Sequence, residues 1–186
     1  MKKFKLFIPI FLILLSSLYS CNNDNDNTVE PSTIVNLAID SADLTSLVSA
    51  LQKADLVNTL NGLGPFTILA PTNDAFAAFL NANNFNSLDD VPVNVLTNLL
   101  LNHVLSGSLT ASDFSTGYTN TLATSEASSS VMSLYVDTSS GVKFNGVSSV
   151  SSADIIAVNG VIHKVNAVLG LPSVVTFATA DPNFST

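Results

Sequence analysis

Residues 153–165 read ADIIAVNGVIHKV, two apolar runs separated by Asn159-Gly160. An Asn-Gly pair between apolar runs is the strongest short-range signal for a β-hairpin, because a type I′ turn needs positive φ at both central residues. With the turn centred on this pair, Ile156 should lie opposite His163 on the neighbouring strand. The stretch therefore predicts an antiparallel hairpin near the end of the folded region.

The chain before this hairpin has the periodicity of amphipathic helices. One apolar stripe, spaced i, i+3, i+4 and i+7, consists of Leu44, Leu47, Val48 and Leu51. We expect Asp40 or Ser41 to cap that helix. A further helix is predicted over Val93–Leu105, with its apolar stripe at Leu96, Leu99, Leu100 and His103.

A strand and a helix are predicted in direct succession over residues 66–76, FTILAPTNDAF. The segment Phe66–Ala70 alternates like a half-buried strand and ends at Pro71, which cannot donate to a β-ladder. Thr72 can cap the next helix by accepting a hydrogen bond from the amide of Asp74 or of the residue after it. Asp74 adds negative charge in the first turn, where the helix dipole favours it.

The second half of the chain changes character. It is rich in Ser and Thr between residues 109 and 152 and contains short alternating runs, such as Met132–Val136 and Val142–Phe144. These runs indicate strands joined by turns. Helices first and strands later favour an α+β fold over a parallel α/β fold.

Two long motifs make the chain similar to a known family. Residues 66–76 and residues 159–169, NGVIHKVNAVL, resemble the two signatures of fasciclin domains, and the segment Asn102–Leu105 between them also matches. The resemblance covers residues 32–172 and implies helices packed on a small β-sandwich or wedge. It also implies extracellular adhesion or matrix interaction rather than catalysis. The motif residues to which it assigns a structural role are Thr72, Asn73, Asp74, His103, Asn159, Gly160 and His163.

The chain departs from the family pattern at two positions and matches a third motif. Asn102 stands where the family has Tyr, and Asn166 stands where it often has Asp, so an adhesive role of that Tyr and a salt bridge of that Asp do not carry over. Asp154-Ile155 resembles the Asp-Ile motif that animal relatives use toward integrins. These two residues are candidates for partner binding, although the simpler interpretation of Asp154 is an ordinary strand residue, since a motif match is only a hypothesis.

The N-terminus has the layout of a lipoprotein signal. Three lysines precede the apolar run Leu6–Leu15, which is too short to span a bilayer, and small polar residues follow. The next residues resemble a bacterial lipobox, in which Cys21, the only cysteine, is acylated and becomes the mature N-terminus. We expect a signal peptide over residues 1–20 and a flexible acidic tether over residues 21–31.

The Asn and Asp residues directly after Cys21 also resemble export signals of surface lipoproteins in Bacteroidetes-type bacteria. We therefore expect an outer-membrane lipoprotein of the cell envelope, displayed toward the periplasm or the outside. The membrane is the first expected partner, through acylated Cys21, and the second is a surface protein or polysaccharide.

Composition limits the function. Six lysines, no arginine and 14 acidic residues give a net charge of −8, and removal of the signal with its three lysines leaves 3 − 14 = −11. Such a chain has no basic stripe for nucleic acid. Only His103 and His163 could act as catalytic bases, and both lie within apolar patterns typical of structural histidines. We expect no catalytic, metal or cofactor site.

The segment that follows the predicted domain repeats its beginning. Residues 174–186 align with residues 34–46 at an offset of 174 − 34 = 140, about one fasciclin domain, with Val35/Val175 and Ala38/Ala178 identical. We expect residues 173–186 to be the truncated start of a second fasciclin domain.

Three functions compete at this point. The favoured one is a lipid-anchored, non-catalytic module for adhesion or matrix interaction. The second is a lipoprotein that binds a small lipid or glycan in an apolar pocket. The third, an enzyme built on an adhesive scaffold, has the least support, because the sequence offers few groups for a reactive site.

Overall fold

The computed structural model describes residues 31–125 and 128–184. The helices in this part of the chain are α1 (Ile34–Ile39), α2 (Thr45–Lys53), α3 (Val57–Leu60), α4 (Asn73–Ala82), α5 (Val93–Leu101) and α6 (Val174–Ala180). The strands are β1 (Phe66–Pro71), β2 (Val104–Ser106), β3 (Gly117–Thr124), β4 (Val131–Asp137), β5 (Lys143–Phe144), β6 (Ser148–Ala157) and β7 (Gly160–Val165). Short 3-10 turns lie at Ala42–Leu44, Leu88–Asp90, Ala111–Asp113 and Pro182–Phe184. None of the helices in this part of the chain is long and apolar enough to cross a membrane.

The strands form one sheet in the order β2-β1-β7-β6-β5-β4-β3. The pair β1–β7 is parallel and the other neighbours are antiparallel. Helices together with a mostly antiparallel sheet confirm the expected α+β class.

Two apolar cores lie on opposite faces of β1 and β7. The larger core joins Ile68 and Ile162 to the helices, and the smaller core joins Leu69 and Val165 to Phe144 of the distant β5. The sheet therefore folds back on itself as a wedge. Strand β1 is buried on both faces from its second residue onward, so the expectation of a half-buried strand was wrong. A strand in the middle of a sheet with cover on both sides needs apolar residues at successive positions.

The hairpin of β6 and β7 exists, but its predicted register was wrong. Ile156 pairs with Val161 rather than with His163, and Ala157 pairs with Gly160, which leaves Val158 and Asn159 as the turn. The reason is the side chain of Asn159, which is buried and bonded to distant parts of the fold. Those bonds hold Asn159 in the turn, so that Gly160 begins β7.

Helix α5 ends at Leu101, four residues before the predicted end. Val104–Ser106 instead form β2 and pair with Phe66–Ile68 of β1. A helical stripe and a short apolar strand are hard to distinguish from periodicity over so few residues. Residues 104–106 form a strand because the edge of β1 is available for pairing.

The predicted cap of the second helix was also wrong. Ser41 makes no side-chain cap, and Asp40 ends the short helix α1. The amide of Ser46 at the start of α2 instead donates to Asn73 Oδ1, 2.9 Å away, from the start of α4. A residue distant in sequence thus replaces the local cap.

Candidate functional site

The residues of the first motif join two helices. Thr72 accepts a hydrogen bond from the amide of Ala75, 3.4 Å away, so the expected cap of α4 is present, and Asp74 lies in its first turn. Besides its bond to Ser46, Asn73 donates from Nδ2 to the carbonyl of Ala42 at 3.0 Å. The motif therefore fixes the start of α4 against the start of α2.

Asn159 connects four segments of the chain. Its Oδ1 accepts from the amide of Ile34 at 2.9 Å, and its Nδ2 donates to the carbonyls of Leu60 and Gly62 at 2.8 and 2.9 Å. Its own carbonyl accepts from the amide of Phe66 at 3.0 Å. An asparagine side chain offers one acceptor and two donor hydrogens, and all are used here.

Gly160 allows two backbone segments to approach closely. It has φ 152°, and a Cβ at this position would lie 1.9 Å from the carbonyl oxygen of Phe66. Only glycine fits both the conformation and the space. Asn159 and Gly160 thus place the β6–β7 hairpin against β1 and the start of α1.

His103 is a buried link between α5 and the chain after β7. Its Nδ1 lies 2.8 Å from the carbonyl of Leu99, and its Nε2 accepts from the amide of Leu169 at 2.8 Å. Burial lowers the pKa of this imidazole from 6.5 to about 4. At neutral pH the ring is therefore uncharged, with the proton on Nδ1, and both nitrogens are occupied.

Asn102, next to His103, is also completely buried. Its Nδ2 donates to the carbonyl of Gly170 at 3.1 Å, and its Oδ1 accepts from the hydroxyl of Thr121 at 3.3 Å. The residue at the position of the family's Tyr is therefore an internal link in this chain.

His163 supports a bulge in β6. Its Nε2 lies 2.8 Å from the carbonyl of Leu109, and its Nδ1 accepts from the amide of Asp154 at 3.3 Å. The register of β6 shifts between Ser152 and Ile155, and Asp154 has φ 59°. A bulge of this kind redirects a side chain that would otherwise follow the strand.

The bulge presents Asp154 at the surface. Its side chain is 45% exposed, and its Oδ1 accepts from the amide of Ala111 at 2.7 Å while lying 3.9 Å from His163 Nδ1. Ile155 packs partly buried against the larger core. Of the two candidate partner-binding residues, only Asp154 offers a free face to solvent.

An apolar groove lies beside α6, which the sequence did not reveal. Its volume is about 290 Å³, and its lining consists of Tyr118, Ser133, Val174, Phe177, Ala178 and Phe184. Tyr118 holds the helix in place, because its ring meets Phe177 edge-on at 5.5 Å and its hydroxyl donates to Asp181 at 3.0 Å. No local sequence pattern indicates this groove, because Tyr118 and Ser133 are far in sequence from the lining residues in and after α6.

The part of the chain that the structure describes holds no group of three or more His, Cys, Asp or Glu side chains able to bind a metal ion. The expected signal peptide, Cys21 and nearly all of the expected tether lie outside the described residues.

Comparisons with known proteins agree with the motifs. A fasciclin domain model matches residues 42–172. The chain is 40% identical to protein sll1483 of a Synechocystis strain over 139 residues, which cover 74% of this chain and 72% of that one. It is also 34% identical to human periostin over 124 residues, 67% of this chain but only 14% of periostin. The pig transforming growth factor-beta-induced protein ig-h3 is 33% identical over 127 residues, 68% of this chain and 17% of that protein.

A solved structure shares the fold. It is a FAS1 domain pair from the insect cell adhesion molecule fasciclin I, with a TM-score of 0.52 and 23% identity, covering 75% of this chain and 50% of that one. The family model spans most of the chain, and the motif residues occupy the contacts described above. The chain therefore belongs to the fasciclin domain family.

Proposed function

We propose that this protein is a lipid-anchored, non-catalytic module for adhesion or matrix interaction in the cell envelope. The observation that carries the proposal is membership of a family that includes an insect cell adhesion molecule. The internal arrangement supports it, because both nitrogens of His103 and of His163 are within hydrogen-bonding distance of backbone groups. Each ring nitrogen therefore already has a partner within the protein.

Loss of the protein should weaken attachment or aggregation of the cells that carry it. A deletion strain, complemented with the wild-type gene, tests this in an adhesion assay. The purified mature chain should also bind the cell surface or extracellular polymer saturably. Unchanged adhesion in the deletion strain, together with no saturable binding, would contradict the proposal.

Asp154 is the proposed contact residue for the partner. Asp154→Asn removes the charge but keeps an oxygen that can accept from the amide of Ala111, so the bulge should persist. We expect about tenfold weaker binding, since a charge-assisted contact is worth about 1.5–3 kcal/mol. Asp89→Asn, at another exposed carboxylate, is the matched control. Equal binding by both variants would remove Asp154 from the proposed contact.

Acylation of Cys21 is the proposed anchor, and its support is the lipobox-like sequence alone. Cells fed labelled palmitate should label the wild type and not Cys21→Ser, and only the wild type should fractionate with membranes. Protease treatment of intact cells then distinguishes outward from periplasmic display. Labelling of the variant would place the acyl chain elsewhere.

Binding of a small lipid or glycan is a second candidate, favoured by the apolar groove beside α6. The groove is large enough for part of an acyl chain or an apolar side chain. Native mass spectrometry of protein purified from its own cells should then detect a stoichiometric small molecule. Ala178→Trp would fill the groove and should abolish that adduct, whereas an adduct that persists would place the ligand elsewhere.

We also propose that residues 173–186 begin a second fasciclin domain. The support is the sequence repeat together with local structure, because α1 and α6, and the 3-10 turns after them, start 140 residues apart. The intact mass of the protein from its cells should exceed that of residues 21–186 plus acyl chains by about the mass of the rest of one domain. A mass that matches residues 21–186 plus acyl chains would contradict this organisation.

A further inference from the structure

Three aliphatic side chains stand out from one end of the domain. Leu63 is 100% exposed, Ile156 is 64% exposed and Val158 is 60% exposed. We call these three residues the apolar tip. Ile156 lies near the end of β6, Val158 lies in the turn that follows it, and Leu63 belongs to the loop that leads into β1.

Asn159 holds the tip together. It directly follows Val158, and its Nδ2 donates to the carbonyl of Gly62, next to Leu63. On the other side of Leu63, a Cβ on Gly64 would lie 2.3 Å from the carbonyl oxygen of Asn159. The loop that carries Leu63 and the turn that carries Val158 are therefore in contact.

The expected tether joins the domain at this same end. The amide of Val158 donates to the carbonyl of Ser32 at 3.1 Å, and the amide of Ile34 donates to Asn159 at 2.9 Å. The apolar tip is thus next to the point where the chain from Cys21 reaches the folded part.

Chain length limits how far that point can lie from the proposed anchor. Eleven residues, 21–31, reach at most about 40 Å when fully extended, and the radius of gyration of a 140-residue domain is about 14 Å. Acylation of Cys21 would therefore keep the tip within about three domain radii of the bilayer, at high effective concentration.

We propose that the apolar tip inserts into the interfacial layer of the bilayer that holds acylated Cys21. This inference rests on the proposed anchor. Insertion of this kind reaches about 5–10 Å into the boundary between headgroups and acyl chains. It would orient the domain with the apolar tip toward the lipid.

The attraction between the tip and the bilayer must come from apolar contact. The mature chain carries a net charge of −11 and has three lysines, of which Lys53 and Lys164 bond to protein oxygens and the half-buried Lys143 lies opposite Asp137 on the neighbouring strand. Attraction to anionic headgroups is therefore not available to this chain. A zwitterionic bilayer is accordingly the appropriate probe surface.

The composition of the chain allows a direct test. It has no tryptophan and one cysteine, so a chain beginning at an unacylated Cys21 can be coupled through its thiol to a maleimide lipid in phosphatidylcholine vesicles. Leu63→Trp then reports on the tip. Val131→Trp, at a 54% exposed position on β4, is the matched control.

We expect Leu63→Trp to emit at shorter wavelength after coupling and to be quenched by dibrominated lipids at least about threefold more than Val131→Trp, because only the tip enters the interface. Adding Ile156→Ser and Val158→Ser should reduce that quenching to the control level. All sites are exposed, so circular dichroism should show unchanged folding.

Equal quenching of Leu63→Trp and Val131→Trp would overturn the inference. If the tip stayed in solvent on vesicles and became protected only on adding envelope proteins, it would be a protein-docking surface, which would also overturn the inference. Because the thiol coupling replaces cellular acylation, this result is independent of palmitate labelling at Cys21. Failure of the proposed acylation at Cys21 can therefore be distinguished from failure of the proposed insertion of the tip.

Discussion

Thr33 and Ser173 begin their helices in the same way, each accepting a hydrogen bond at 3.3 Å from the backbone amide three residues later. The helices they start, α1 and α6, are each followed by a short 3-10 turn, at Ala42–Leu44 and at Pro182–Phe184. The local sequence thus produces the same structure twice, 140 residues apart.

The two segments differ in what covers them. Ile34 and Val35 at the start of α1 are each 2% exposed, whereas the aligned Val174 and Val175 are 85% and 69% exposed. α1 lies against the β6–β7 hairpin and is bonded to Asn159, whereas α6 meets the edge strand β3 through the ring of Tyr118. The comparison shows that capping and apolar pattern set a helix, while tertiary neighbours decide whether it belongs to a core.

The largest expected difference follows from truncating the first apolar residue of each helix. Ile34→Ala should lower the free energy of unfolding by about 2–5 kcal/mol, because the removed atoms leave a cavity. Val174→Ala should change it by less than about 0.5 kcal/mol, since the side chain is exposed. Urea unfolding of both variants measures the difference, and equal losses would mean that α6 is part of the same core.

Asn159→Ala tests the bond that fixes α1. The substitution leaves the amide of Ile34 and the carbonyl of Leu60 without partners in a buried place. We expect a loss of about 3 kcal/mol, since each unsatisfied buried group costs about 1–3 kcal/mol. Thermal unfolding followed by circular dichroism gives the loss, and a loss under 1 kcal/mol would show that water replaces the asparagine.

Acid should weaken the core before it affects the α6 region. Burial lowers the pKa of His103 from 6.5 to about 4 in the folded chain. As the pH falls, the unfolded state therefore binds the proton first, and stability is full above about pH 6.5 and decreases toward pH 4. The decrease should reach roughly 2–3 kcal/mol at pH 4, since one pKa unit corresponds to about 1.4 kcal/mol.

The Asp181 carboxylate near α6 behaves differently. The backbone amide of Asn183 holds the pKa of that carboxyl below 3.8, so its contribution is present above 3.8 and lost only as the pH falls through the lowered value. Nuclear magnetic resonance between pH 6.5 and 4 should then show an intact contact between Tyr118 and Asp181. Loss of this contact before any loss of global stability would contradict the prediction that acid weakens the core first.

The smallest effect is expected from the caps. Thr33→Ala should lower global stability by about 1 kcal/mol, because it removes the acceptor for the amide of Asn36 from a helix that packs on the core. Ser173→Ala removes the equivalent acceptor from α6 and should melt only that helix. Global unfolding and residue-specific helicity, measured on the same samples, separate the two outcomes.

The sequence predicted the elements better than their partners. The α+β class, the cap of α4 at Thr72 and the hairpin before Val165 follow from local patterns, and all are present. The register of that hairpin depends on a bond from Asn159 to Ile34, 125 residues away, which no local pattern contains. The strand that ends at Ser106 was mistaken for helix because its pairing with β1 is equally non-local.

For the candidate sites too, the sequence identified residues but not the non-local contacts that arrange them. The motif residues could be named from the sequence, and Asp154 could be named as a contact candidate. The bulge that exposes the carboxylate of Asp154 could not be predicted, because this bulge depends on contacts with His163 and with the amide of Ala111. The groove beside α6 and the apolar tip were missed for the same reason, since each combines residues from separate segments.

Native-state hydrogen exchange of α1 and α6 tests most directly whether burial, rather than local sequence, separates these two helices. The amides of Leu37 in α1 and of Phe177 in α6 make equivalent backbone bonds, to Thr33 and to Ser173. We predict that Leu37 exchanges only through global unfolding, and that Phe177 exchanges through local opening with a much smaller free energy. Equal protection of the two amides would contradict the account.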